Sequence, residues 1–230
     1  MPRPNERRLV VQEDPKAVSS EAFRTLRTNL QFASPDVELR AVLFTSPGPE
    51  EGKSTVSSNL AVSVAQTGTE IVLVDCDLRK PTVHKIFGLN NSVGLTSVLT
   101  GQIKLEDAVQ KTKIDGLSVL TSGPIPPNPA ELLQSKSMRG IVERLKQEHE
   151  RVLFDAPPVL PVADAMILSA YVDGVIMVIS ANHVPREMAV RAKELLENTN
   201  ARLLGVVLNQ VKYSRDGEQY YYNYYTSESK

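Results

Sequence analysis

Six stretches of this chain are near-continuous aliphatic runs: residues 39–46 (LRAVLFTS), 70–77 (EIVLVDCD), 117–123 (LSVLTSG), 151–157 (RVLFDAP), 174–180 (GVIMVIS) and 203–211 (LLGVVLNQV). A strand with one wet face alternates apolar and polar residues. A strand covered on both faces does not. Segments with helical spacing lie between these runs, such as STVSSNLAVSVAQTG (54–68), which Gly68 ends. Strand-then-helix alternation with doubly covered strands predicts an α/β fold: a three-layer sandwich, mostly parallel sheet with helices on both faces. The 230 residues suit one domain with a full core, and no internal repeat or low-complexity linker divides it. The expected organisation is a mobile segment over 1–17, one domain over 18–212 and a flexible tail over 213–230.

Local signals refine this. In SSEAFRTLRTNLQF, Ser19 or Ser20 is placed to cap a helix, with Glu21 in its first turn and Phe23, Leu26 and Leu30 along one stripe. Asn128 and Ser137 are the expected caps of two later helices, and residues 81–112 read as short helices and loops.

Charge and cysteine usage narrow the function classes. Lys+Arg total 26 against 27 for Asp+Glu, a near-neutral balance that argues against a nucleic-acid binder. The single cysteine, Cys76, has no partner for an intramolecular disulfide, which suits a reducing compartment. Met1 to Arg8 is polar and basic with no apolar segment behind it, unlike a secretory signal. No apolar run approaches the ~20 residues of a membrane helix. The expectation is a cytoplasmic protein that reaches a membrane only through a partner. His84, His149 and His183 lie far apart with no metal-ligand spacing.

The segment SPGPEEGKST (46–55) sits between the first strand and a helix and contains Gly52-Lys53-Ser54. Glycine lets backbone amides turn inward around phosphate oxygens, and the following helix aims its positive end at them. Lys53 would neutralise β/γ-phosphates and Ser54 would offer a hydroxyl to Mg²⁺. This is a P-loop pattern with one departure: Pro47 stands where the first glycine is expected, followed by Gly48. Two further runs end in acid, IVLVDCD with Asp75 and Asp77, and RVLFDAP with Asp155. A carboxylate there meets solvent at the sheet's C-terminal edge, where α/β ligands bind. Asp155 looks like a Walker B acid serving the metal. The bland alternative for any one strand-end Asp is a helix cap or a turn. Cys76, between the two acids, faces the other way and reads as a small core residue.

IVLVDCDLRKP carries hydrophobic–Asp75-x-Asp77-x-Arg79 and resembles the Walker A′ motif of the bacterial tyrosine kinases. EAFRTLRTNL, TSGPIPPNPAELL, FDAPPVLPVADA and a tyrosine-rich end extend the resemblance along nearly the whole chain, most closely to the cytoplasmic kinase subunits of Gram-positive capsule and exopolysaccharide systems. The resemblance implies a P-loop fold, ATP and Mg²⁺ as cofactors, and autophosphorylation on tyrosine. It assigns Lys53, Asp75, Asp77 and Asp155 to catalysis, with Asp75 a candidate proton acceptor. The metal would fall to Ser54, Asp77 and Asp155. The nucleotide would fall to Gly48, Glu51, Gly52, Lys53, Ser54, Thr55, Arg79 and Asn209; for Asn209 a turn or capping role is an equal alternative. Related ATPases that position division sites carry a lysine just after the first glycine position of the loop. Gly48 occupies that place here, which counts against that branch.

The end of the chain then has a reading. EQYYYNYYTSESK holds Tyr220, Tyr221, Tyr222, Tyr224 and Tyr225. Nine residues from Val211 to Tyr220 span at most ~30 Å, enough to reach the edge where the P-loop lies. These tyrosines are the expected phosphoacceptors, each gaining about −1.5 to −2 charges. Glu21, Arg24 and Arg27 match the family's E-x-x-R-x-x-R motif, which implies contacts between subunits of a homo-oligomeric ring, an octamer by resemblance. Intrahelical pairing on a solvated face is the plainer reading of the same residues. The resemblance also implies a membrane activator with a cytoplasmic tail that recruits the chain to the inner face of the cell membrane, a cognate tyrosine phosphatase and other protein substrates. The competing readings are a nucleotide-dependent assembly switch without kinase activity and a scaffold.

Overall fold

A computed structural model describes residues 9–33, 38–181, 183–199 and 201–211. In chain order the elements are α1 (Val10–Glu13), α2 (Val18–Phe32), β1 (Ala41–Thr45), α3 (Lys53–Ala65), β2 (Ile71–Asp75), α4 (Val83–Phe87), α5 (Leu95–Leu99) and α6 (Leu105–Ala108). They continue with β3 (Val109–Lys111), β4 (Leu117–Leu120), α7 (Pro129–Gln134), α8 (Lys136–Glu148), β5 (Arg151–Asp155), α9 (Asp164–Ser169), β6 (Gly174–Ser180), α10 (Arg186–Glu197) and β7 (Leu203–Asn209). The strands form one sheet in the order β3-β4-β2-β5-β1-β6-β7. Every pairing is parallel except β3 with β4. The expected α/β sandwich is therefore the observed one. β3 was hidden in the sequence because three residues at a sheet edge carry too few side chains to show a period.

Both faces of β1, β2, β4, β5 and β6 are dry, which explains their unbroken aliphatic runs; at the sheet edge β7 leaves Val206 and Leu208 exposed despite its aliphatic sequence. Val42, Phe44, Leu73, Leu153 and Val178 pack on the side of α3, with Val56 and Leu60. Leu43, Val74, Val152, Phe154 and Met177 pack on the other side, with Met138, Val142, Leu145 and Leu196 from α8 and α10. Burying a side chain of this size contributes about 1.5–3 kcal/mol. α3 is buried almost all round, because α1 and α2 cover the face it turns away from the sheet.

From Leu9 onward that cover differs from the expected mobile segment over 1–17, of which residues 1–8 lie outside the described ones. Leu9 and Val11 are core residues, and the Val11 N–H donates to Asn59 Oδ1 on α3 at 3.2 Å. The Leu9-Val10-Val11 run, short as it is, supplies enough apolar surface to dock. Neither Ser19 nor Ser20 caps α2. Ala17 is the N-cap residue, and the buried Ser20 hydroxyl contacts Asp14 O at 2.6 Å and Val10 O at 3.1 Å, serving the carbonyls of α1. Ser135, not Ser137, caps α8, accepting from the Met138 N–H at 3.1 Å.

The strand order is what assembles the site. β2, β5 and β1 are neighbours, with Asp75 opposite Asp155 and Asp155 opposite Phe44 in register. Two acids and the loop that leaves β1 thus reach one edge side by side. β6 flanks β1 on the other side and β7 closes the sheet, bringing Ser180 and Asn209 to the same edge.

Candidate active site

The loop between β1 and α3 turns through two left-handed residues, Glu50 (φ 64°) and Gly52 (φ 87°), before α3 starts at Lys53. At Gly52 glycine is required twice over. The backbone angle disfavours any side chain, and a Cβ would lie 2.1 Å from Asn209 Nδ2.

Lys53 lies at the centre of a buried ionic cluster. Its Nζ donates to Asp77 Oδ2 at 2.9 Å, lies 3.7 Å from Asp155 Oδ2 and 3.3 Å from Ser54 Oγ. Burial works to lower the Lys53 pKa, but the Asp155 and Asp77 carboxylates outweigh it and hold the ammonium above its ordinary value. Asp155 is fully buried, and among the described residues no donor comes within hydrogen-bond distance of its carboxylate oxygens, the Lys53 ammonium standing 3.7 Å away. Burial raises its pKa, with Lys53 and the nearby Ser54 hydroxyl pulling the other way.

These groups fit a magnesium ion. Asp77, Asp155 and Ser54 offer only oxygen donors, as a hard cation prefers, and the buried, under-satisfied Asp155 carboxylate is the kind of acceptor that an ion or its water satisfies. Among the described residues no three His, Cys, Asp or Glu side chains form a self-contained metal cage. That also fits Mg²⁺, which is usually held by one or two carboxylates together with substrate phosphates.

Asp75 serves its own loop. Its Oδ1 accepts the Asp77 N–H at 3.2 Å, and its Oδ2 accepts the N–H groups of Thr82 and Val83 at 3.1 and 3.0 Å. The carboxyl is fully buried, and burial together with Asp155 pushes its pKa up to about 8. Arg79, expected at the nucleotide, forms a two-pronged ion pair with the fully buried Asp164 at the start of α9, at 2.8 and 2.9 Å. Sequence reasoning missed Asp164, because an acid in the first turn of a helix reads as an ordinary dipole partner.

Glu51 is buried, its Oε1 accepting the Gly48 N–H and its Oε2 the Ser180 N–H. Asn209 Nδ2 donates to Glu51 O at 2.9 Å. Thr55 stands half-buried in the first turn of α3. Cys76 is buried in the core as expected, and burial raises its thiol pKa well above the usual value. In α2, Glu21 pairs with Arg24 at 2.7 Å, while Arg27 donates to Ser63 O on α3 at 2.6 Å. Within the chain, then, Glu21 and Arg24 pair along α2 and Arg27 docks α2 onto α3. The five tail tyrosines lie outside the described residues.

A phosphate loop, a lysine and three acids converging at the C-terminal edge of a parallel sheet define a P-loop NTPase. A family model described as ParA, NUBPL iron-transfer P-loop NTPase matches residues 50–229. Within that fold the chain belongs to the bacterial tyrosine kinases. It is 48% identical over 217 residues to the tyrosine-protein kinase YwqD of Bacillus subtilis, covering 94% of this chain and 92% of that one. The crystal structure of the chimerical protein CapA2B2 superposes with a TM-score of 0.86 at 43% identity, covering 89% of this chain and 90% of that one. The kinase domain of Escherichia coli ETK gives 0.88 at 31% identity, covering 94% and 84%.

Proposed function

We propose that this chain is an ATP-dependent protein-tyrosine kinase that phosphorylates its own C-terminal tyrosines and regulates capsular or exopolysaccharide synthesis and export. The observation that carries the reading is the buried Lys53–Asp77–Asp155 cluster at the mouth of the phosphate loop. Bound MgATP supplies an activated γ-phosphoryl group. Lys53 and the loop amides would hold the phosphates, and Ser54, Asp77 and Asp155 would hold the metal. A tail hydroxyl would form the new O–P bond as the bond to the ADP oxygen breaks, its proton passing to solvent water. A loose phosphoryl-transfer transition state needs little base catalysis, so positioning and charge dominate.

The partners follow the resemblance. A membrane activator supplies a cytoplasmic tail that stabilises the nucleotide site and recruits the chain to the inner face of the cell membrane. A ring of copies, joined through the helix that carries Glu21, Arg24 and Arg27, presents one tail to the next site. A cognate phosphatase resets the tail, and other proteins can also serve as substrates. Among the described residues no helix is long and apolar enough to cross a membrane.

The match to the broader ParA family favours a second reading, a nucleotide-driven assembly switch. Deleting residues 213–230 separates the two. The kinase reading expects phosphotyrosine to disappear. The switch reading expects full-length protein to hydrolyse ATP without making phosphotyrosine, and the truncated form to hydrolyse it equally well.

A further inference from the structure

We infer that Glu51 is a positioning residue that holds the phosphate loop in its binding shape and does not itself touch nucleotide. The inference rests on the reading that the loop binds nucleotide phosphates. The loop lacks its first glycine, replaced by Pro47, and one of its two left-handed positions is filled by Glu50. A loop built this way needs an external hold, and Glu51 supplies three. Its Oε1 accepts from Gly48, within the loop. Its Oε2 accepts from the Ser180 N–H at 3.1 Å, at the end of β6. Its carbonyl accepts from Asn209 at 2.9 Å, at the end of β7. Ser180 is tied in turn to the residue after β7, its Oγ donating to Gln210 Oε1 at 2.6 Å. One residue therefore joins the loop to both strand ends beside it.

The chemistry calls for a carboxylate. Both side-chain oxygens face amide donors, so a glutamine would turn an NH₂ toward one of them. Burial raises the Glu51 pKa, the Gly48 and Ser180 amides oppose that rise, and His183 adds a weak pull in the same direction as the amides. A side chain 1% exposed with both oxygens occupied has nothing left to offer a phosphate. Its contribution is preorganisation: it keeps the loop from having to order itself when ligand arrives.

The test is the dissociation constant for MgATP, by titration calorimetry on the full-length chain, for wild type, Glu51→Gln and Glu51→Asp. Thermal melts are run beside it, with kcat and KM for ATP. The aspartate is one methylene shorter and cannot span both amides, so it provides a second arm if the glutamine variant fails to fold. Both variants are expected to bind MgATP at least tenfold more weakly and to raise KM by a similar factor, with kcat at saturation within about threefold of wild type. A folded variant with lowered Tm but wild-type affinity and KM would make Glu51 merely structural and overturn the proposal. A kcat loss with unchanged KM would overturn it as well. Wild type that fails to bind MgATP would instead sink the phosphate-loop reading itself.

Discussion

Replacing Gly52 by alanine tests the loop geometry with a magnitude that can be worked from the structure. Gly52 has φ 87° and ψ 17°, a left-handed conformation that costs a residue with a Cβ about 1–2 kcal/mol. The new Cβ would lie 2.1 Å from Asn209 Nδ2. Asn209 is the end of a rotatable side chain, so it swings away and gives up its 2.9 Å bond to Glu51 O, worth about 1 kcal/mol. The sum is a loss of about 2–3 kcal/mol. Asn209→Ala alone loses only the hydrogen bond, about 1 kcal/mol. The Gly52→Ala/Asn209→Ala double variant should fall short of additivity by about that 1 kcal/mol, because both single changes remove the same bond. Urea unfolding of the nucleotide-free protein, followed by circular dichroism, reads all three. Strict additivity, or a Gly52→Ala cost below about 0.5 kcal/mol, would refute the reasoning.

Three further expectations follow from the buried charges. Asp75, at about 8 in the fold against ~3.9 in an unfolded chain, keeps a proton that the unfolded chain releases. Its contribution is complete below pH ~3.9 and is lost as pH rises through about 8. Melting temperature of the nucleotide-free protein should therefore fall between pH 6 and 9, and Asp75→Asn should flatten that slope; an unchanged slope contradicts the assignment. Arg79→Ala strands the buried Asp164, but because Arg79 itself is 38% exposed the cost should fall below the buried-pair range, at about 1–2 kcal/mol, partly recovered by adding Asp164→Ala. Equal stability of wild type and Arg79→Ala in denaturant melts would show that the pair does not brace the fold. Cys76 is buried with its thiol pKa raised, so iodoacetamide at pH 8 should modify it only in denaturant; native labelling seen by intact mass would contradict its placement.

The fold was legible because its strongest signal is physical. Strands buried on both faces must be aliphatic at every position, and the runs at 70–77 and 174–180 mark β2 and β6 almost to the residue. The phosphate loop was equally open to reading, since Gly52 and Lys53 are needed for reasons the sequence displays. What stayed hidden depended on long-range partners. Ser20 looked like a cap, but its hydroxyl was claimed by the carbonyls of α1. Arg79 was read as a nucleotide residue, and its pairing with Asp164 was not legible because Asp164 lies 85 residues further along the chain. Asp75 drew both a catalytic and a turn-forming reading, and the three backbone donors it accepts, from Asp77, Thr82 and Val83, were not legible in the sequence. Glu51 gave no sign that its carboxylate would turn inward, because Ser180 lies 129 residues away.

The central claim is that this phosphate loop transfers phosphate to the chain's own tyrosines. The direct measurement is a phosphosite map by mass spectrometry after incubation with ATP and Mg²⁺. It is made with and without the cytoplasmic tail of the candidate membrane partner, beside a Lys53→Met control. The account predicts phosphotyrosine among residues 213–225, abolished by Lys53→Met. ATP hydrolysis with no phosphotyrosine, even with the partner's tail present, would contradict it.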